Sequence, residues 1–244
     1  MSLSAKRVVG AAIAAAACVL FPAAVSAGVV VAASGPSVGN FPVGKKIGDS
    51  DRIVLRAGDT LTVLDGNGTR VFRGAGTYSL NQSAGQSQRS AFAALTERRS
   101  AQRVRTGAVR AEDEGAPSRP PSLWYVDVGH PGKFCLADDE RVRLWRRTID
   151  GDATYSLRGA SGTRHTVTFA DGEMLAPWDT KVLPVTDGAV FRLAGPAGGS
   201  ESELSFVVLD TVAEDPEALA AQLIENGCAG PLELLSTATL IAEG

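Results

Sequence analysis

The residues that could do chemistry in this chain are few and scattered. There are two histidines, His130 and His165. A serine or cysteine nucleophile needs a base at its side, and no Gly-x-Ser-x-Gly elbow accompanies either imidazole. His130 precedes Pro131-Gly132 and reads as a turn residue, while His165 opens an alternating stretch and reads as a surface residue. A metal site needs clustered His, Cys or carboxylates at fixed spacing. Asp138-Asp139-Glu140 is a local acidic cluster, and Asp65-x-Asn67 has the start of a calcium loop without its later ligands. Both read as solvated turns. Gly195–Gly199 lacks the Lys-Ser/Thr of a phosphate loop and reads as a hairpin. No catalytic, metal or cofactor-binding residue is assigned from the sequence, and no cofactor is expected.

The cysteines depend on the compartment. Lys6 and Arg7 precede an apolar run from Val8 to Leu20, and the segment closes on Phe21-Pro22-Ala23-Ala24-Val25-Ser26-Ala27. Charged, then apolar, then small is the order of a secretory signal peptide, with Val25 and Ala27 small enough for the peptidase pockets and the cut expected between Ala27 and Gly28. The run is shorter than the ~20 residues that span a bilayer; retention as an uncleaved anchor is the alternative. Cys18 lies in the run, but Ala15 stands where a lipoprotein signal carries Leu. Cleavage leaves Cys135 and Cys228, which in an oxidising compartment can form one bridge. It would close a loop of about 93 residues, worth roughly 4 kcal/mol on the chain-entropy account; two buried free thiols are the alternative.

Removal of residues 1–27 leaves 217 of the 244 residues and takes the net charge from −3 to −5. That length is enough for one large domain or two small ones. A mildly acidic exported chain has no general attraction for nucleic acid, and no later stretch is apolar enough to span a membrane, so none is expected in the mature chain.

Residues 28–80 read as a small β unit. Gly28–Ala33 is an apolar run suited to a buried strand, and Ile53 with Leu55, then Leu61 with Val63, alternate as half-buried strands do. Asp65-Gly66-Asn67-Gly68 is a hairpin signal. The order Gly44-Lys45-Lys46-Ile47-Gly48, Ile53-Val54-Leu55, Ala57-Gly58-Asp59, Val63-Leu64-Asp65-Gly66 and Val71-Phe72-Arg73-Gly74 resembles the FecR-type periplasmic β-domain. The resemblance covers residues 44–80. It implies short strands around tight turns in a periplasmic signalling or envelope module without catalytic residues. The best-known members regulate a sigma factor through a cytoplasmic segment and a membrane helix, where this chain has a cleavable-looking signal.

Residues 81–122 read as a linker, with a helix expected from Ser90 to Arg105 and a proline-rich tether after it. Between residues 89 and 110 stand six arginines, against Glu97 alone. In an exported protein, Arg98, Arg99, Arg103 and Arg105 could touch anionic headgroups or an acidic protein. One acidic candidate lies in the same chain, since residues 200–244 carry nine Asp or Glu and no Lys or Arg. The other reading is a solvated helix and tether.

Residues 123–244 read as a second β unit, sandwich or barrel-like, closed by helices. The expected strands are 123–128, 133–137, 142–146, 153–157, 165–169, 181–185, 189–193 and 204–209, separated by Gly, Asp and Pro turns. Trp124, Trp145 and Trp178 fall here and read first as core; the alternative is a ligand surface. Asp215, Pro216 and Glu217 start a helix that Gly227 stops, and Pro231 starts another. The expected fold is thus mainly β: two small units, a basic partly helical linker and a C-terminal helical hairpin. The expected function is non-enzymatic, a periplasmic binding or scaffold module acting on an envelope protein. A hydrolase of envelope polymers using paired carboxylates, or a small-molecule sensor with a Trp-lined pocket, are the alternatives.

Overall fold

The structure, a computed structural model, describes residues 28–80, 87–97, 119–196, 198 and 200–240. The expected signal peptide, its cleavage residue Ala27, and Arg98, Arg99, Arg103 and Arg105 lie outside the described residues. The architecture is mainly β with a C-terminal helical pair.

The first unit carries β1 (Gly28–Ser34), β2 (Lys46–Ile47), β3 (Ile53–Leu55), β4 (Thr60–Asp65), β5 (Gly68–Arg73) and β6 (Gly76–Tyr78). Four strands form an antiparallel sheet in the order β2-β1-β4-β5, and β3 pairs with β6. The β4–β5 turn closes as its residues require. Asp65 Oδ1 accepts the amides of Asn67 at 2.7 Å and Gly68 at 3.0 Å, and Gly68 takes φ +136°, which an L side chain rarely adopts. β1 explains its continuous apolar run by being buried on both faces. Val30 packs with Phe41, Ile53, Leu61 and Val63. Val29 and Val31 face the opposite way, into a helical layer.

A helix, α1 (Ser87–Thr96), follows, and its Phe92 and Leu95 enter that same layer. The described part of the helix therefore starts three residues before the expected Ser90. It is anchored rather than solvated: Leu95 O accepts the Leu123 amide, and the Trp124 indole donates to Thr96 O at 3.0 Å.

The second unit holds β7 (Tyr125–Asp127), β8 (Lys133–Leu136), β9 (Arg143–Trp145), β10 (Ala153–Gly159), β11 (Arg164–Phe169), β12 (Leu175–Pro177), β13 (Val190–Ala194) and β14 (Ser202–Val208). One sheet runs β11-β10-β13-β14-β8, the other β12-β9-β7. Neighbours are antiparallel except for β14 with β8 and β7 with β9, which are parallel. Their inner faces make an aromatic core in which Trp178 meets Phe191 and Phe206 edge-on, at 4.9 and 5.7 Å between ring centroids. Residues 181–185, expected as a strand, form a turn. Asp179 O accepts the amides of Val182 and Leu183, and Asp179 Oδ1 accepts that of Lys181, so these groups are turned away from any ladder. Leu183 and Val185 are still buried, which is the apolar alternation that suggested a strand. Three further short strands, β2, β6 and β12, were not among those expected from the sequence.

Two helices close the fold, α2 (Pro216–Glu225) and α3 (Ala229–Ala238). The start of α2 matches its sequence: Asp215 Oδ1 accepts the Ala218 amide at 2.8 Å, Pro216 occupies the first turn, and Gly227 ends the helix at φ +70°. Leu219, Ala220 and Leu223 are fully buried, with Leu235 of α3, against Val29, Val31 and Leu64 of the first sheet and Leu123, Trp124 and Leu209 of the second unit. The helical layer is thus a shared core between the two β units.

The disulfide forms between Cys135 of β8 and Cys228 at the joint of α2 and α3, with Cα atoms 5.8 Å apart. Both cysteines are buried. No helix among the described residues is long and apolar enough to cross a membrane.

Candidate functional site

The strongest site geometry lies where the β7–β8 loop meets the start of α3. β7 ends at Asp127, and the chain turns through Val128-Gly129-His130-Pro131-Gly132 into β8. Asp127 organises this turn. Its Oδ1 accepts the Gly129 amide at 2.8 Å, its Oδ2 pairs with His130 Nδ1 at 2.8 Å, and its carbonyl accepts the His130 amide. In a neutral imidazole this contact puts the proton on Nδ1 and leaves Nε2 as the acceptor. The sequence reading of His130 as a turn residue describes its backbone; its ring is nonetheless held by a carboxylate.

Beside this pair opens a cavity of about 280 Å³. Its apolar lining comes from Leu123, Phe134, Pro231 and Leu234. Asp127, His130 and the exposed Arg119, Arg147 and Glu233 make the charged rim. The disulfide, by fastening α3 to β8, brings Pro231 and Leu234 over Phe134. The Thr237 hydroxyl on the same wall donates to Glu233 O at 2.6 Å, so it is engaged in its own helix and is not aligned on His130. The start of α3 also reaches the cavity through Gly230 and Pro231. Cys228 at its N-cap makes no side-chain cap, and the first turn has no acidic residue, so the positive helix end is uncompensated there. What this arrangement can do chemically is bind: it offers an apolar recess with fixed charges of both signs at its mouth.

A second cavity, of about 310 Å³, lies at the tip of the β4–β5 hairpin against Phe92, Pro216 and Thr239, with Glu214 and Asp215 on its wall. Asp215 is already occupied as the α2 cap.

The remaining candidates are structural. Trp124, Trp145 and Trp178 are all buried, at 9%, 1% and 3% exposure, so they belong to the core and present no ligand surface. The Trp178 indole donates to Leu183 O at 2.8 Å. None of the three lines either cavity. His165 Nε2 accepts the Asp179 amide at 3.3 Å. In the acidic cluster, Asp138 accepts the amides of Glu140 and Arg141 and pairs with Arg141 at 2.6 Å. Desolvation would raise its pKa, but these bonds, led by that from the Arg141 side chain, hold it below the usual carboxylate range. Asp65 is the opposite case. Burial pushes its pKa up, against the Asn67 and Gly68 amides and the Arg70 guanidinium at 3.1 Å. Among the described residues no group of three or more His, Cys, Asp or Glu could hold a metal ion.

Arg119, Arg147, Glu233 and Leu234 carry no motif in the sequence. The one local signal was Asp127 three residues before His130, a spacing at which a carboxylate can reach back across a tight turn. With fold and site described, the chain is a mainly β protein whose two β units share a helical layer and a recess at its edge. No family model, curated protein or solved structure matches it.

Proposed function

We propose that this protein is a non-enzymatic, exported module of the cell envelope that acts by binding another protein. The observation that carries the reading is the recess between the β7–β8 loop and α3, apolar inside and charged at the mouth. Such a recess holds a side chain and orients it, and it is built on elements that the disulfide and the shared core keep rigid. The signal-like residues 1–27 support export to the periplasm and cleavage before Gly28, the compartment in which the Cys135–Cys228 bridge would persist. The FecR-like pattern of residues 44–80 supports an envelope or signalling role. Arg98, Arg99, Arg103 and Arg105 supply a second, electrostatic contact to an acidic partner or an anionic membrane surface, and nucleic acid is not a partner.

The test is a crosslinking pulldown from native envelope, with mass spectrometry of the exported chain. The expected result is a chain starting at Gly28 that captures a specific envelope protein. A chain that stays cytoplasmic with residues 1–27 intact, or that crosslinks to no protein in the envelope, would overturn the proposal.

A further inference from the structure

The recess has features that narrow its occupant, and the choice of occupant rests on the reading of the protein as a binding module. Its volume of about 280 Å³ falls just below the roughly 300–1,000 Å³ typical of small-molecule sites. It has room for an apolar side chain and its immediate neighbour, and too little for a long acyl chain. Arg119 and Arg147 stand on its mouth without an ion-pair partner among the described residues, whereas Arg141, Arg158 and Arg192 each sit on a carboxylate. Asp127 keeps its negative charge but makes no ion pair with either guanidinium, its oxygens lying on His130 and the Gly129 amide. The positive end of α3 adds to the same sign. Glu233 contributes the one carboxylate of the mouth that has no such commitment among the described residues. An entirely anionic headgroup would be repelled by it, while a polypeptide can offer it a basic residue.

We infer that the recess takes the C-terminal end of a partner polypeptide, with the last, apolar side chain against Phe134 and Leu234 and the terminal carboxylate on Arg119 and Arg147. Arginine suits this role because its planar fork can meet a carboxylate through two parallel hydrogen bonds. A basic residue upstream of the terminus meets Glu233. Capture of a chain end by cationic and backbone donors is a recurrent recognition mode, and it ties specificity to a group that internal peptide segments lack.

The experiment is fluorescence polarisation with the purified, oxidised protein. The probes are labelled pentapeptides, randomised at the first four positions and ending in Leu, Ile or Phe, as free acids and as amides. The free acids should bind, and the amides should bind about tenfold or more weakly, the loss of a charge-assisted contact. Arg147→Glu should weaken the free acids by a similar factor. Gly230→Trp should abolish binding: a Cβ at Gly230 meets nothing within 4 Å, so the helix accepts the residue while the indole fills the mouth. Circular dichroism of both variants confirms that they fold. Equal binding of acids and amides, binding unchanged by Gly230→Trp, or binding of a medium-chain fatty acid anion where no peptide binds would each overturn the inference. If the envelope pulldown recovers one partner equally well with Gly230→Trp, this inference fails while the broader binding role stands.

Discussion

Replacing Cys135 and Cys228 together by alanine removes the covalent link between β8 and the α2–α3 joint. The bridge closes a sequence separation of 93 residues, for which the chain-entropy account gives about 4.6 kcal/mol. Alanine is the right replacement because both sites are at most 1% exposed, where serine would bury a new hydroxyl. For a chain of this size each kcal/mol moves the melting temperature by about 2–4 °C, so a fall of about 9–18 °C is expected. The loss should be uneven. α2 and α3 hold the first sheet through Leu219, Leu223 and Leu235, and they are fastened to β8 through this bridge. Hydrogen exchange should therefore show loss of protection in α2 and α3 before β10 and β13, whose core is separate. The assay is calorimetry of wild type and double variant, with exchange mass spectrometry on each. A double variant within 1 kcal/mol of wild type, with unchanged exchange in the helices, would refute the reasoning.

Three further outcomes concern individual residues. Asp65→Asn keeps the oxygen that accepts from Asn67 and Gly68 but removes the buried charge. Because the folded pKa of Asp65 is raised above its unfolded value, near 3.9, the native state binds more protons between the two. This group's contribution to stability therefore grows as pH falls through its folded pKa, and urea unfolding across pH 7 to 4 should show that the variant lacks the increment. Asp215→Ala removes the α2 cap and should cost about 1 kcal/mol in urea melts, with Asp215→Ser recovering most of it. Leu219→Ala, at a fully buried site between the two units, should cost about 2–5 kcal/mol and be read as a single cooperative shift; separate melting of the two β units would contradict a shared core.

The fold was readable wherever a signal was local. The β4–β5 turn follows from Asp65, Asn67 and Gly68, whose hydrogen bonds span two and three residues. The start and stop of α2 follow from Asp215, Pro216 and Gly227 for the same reason. Apolar alternation found β3 and β4, but at residues 181–185 it reported burial rather than a strand: Leu183 and Val185 are buried in a turn that Asp179 organises. The site was scarcely readable. Arg119, His130, Arg147 and Glu233 lie in four separate segments, and each is an ordinary polar residue in its own neighbourhood.

Local preferences and side-chain chemistry, carried by a few adjacent residues, were enough to specify a mainly β chain, its turns and its helix ends. The meeting of the two β units depends on which faces find each other across more than a hundred residues. Val29 and Leu219 pack together because burying both apolar faces of β1 outweighs leaving one in water, and no pattern within either segment names the other. The recess is a product of that packing. It exists because α3 is held against β8, and its charged mouth is assembled only through that juxtaposition.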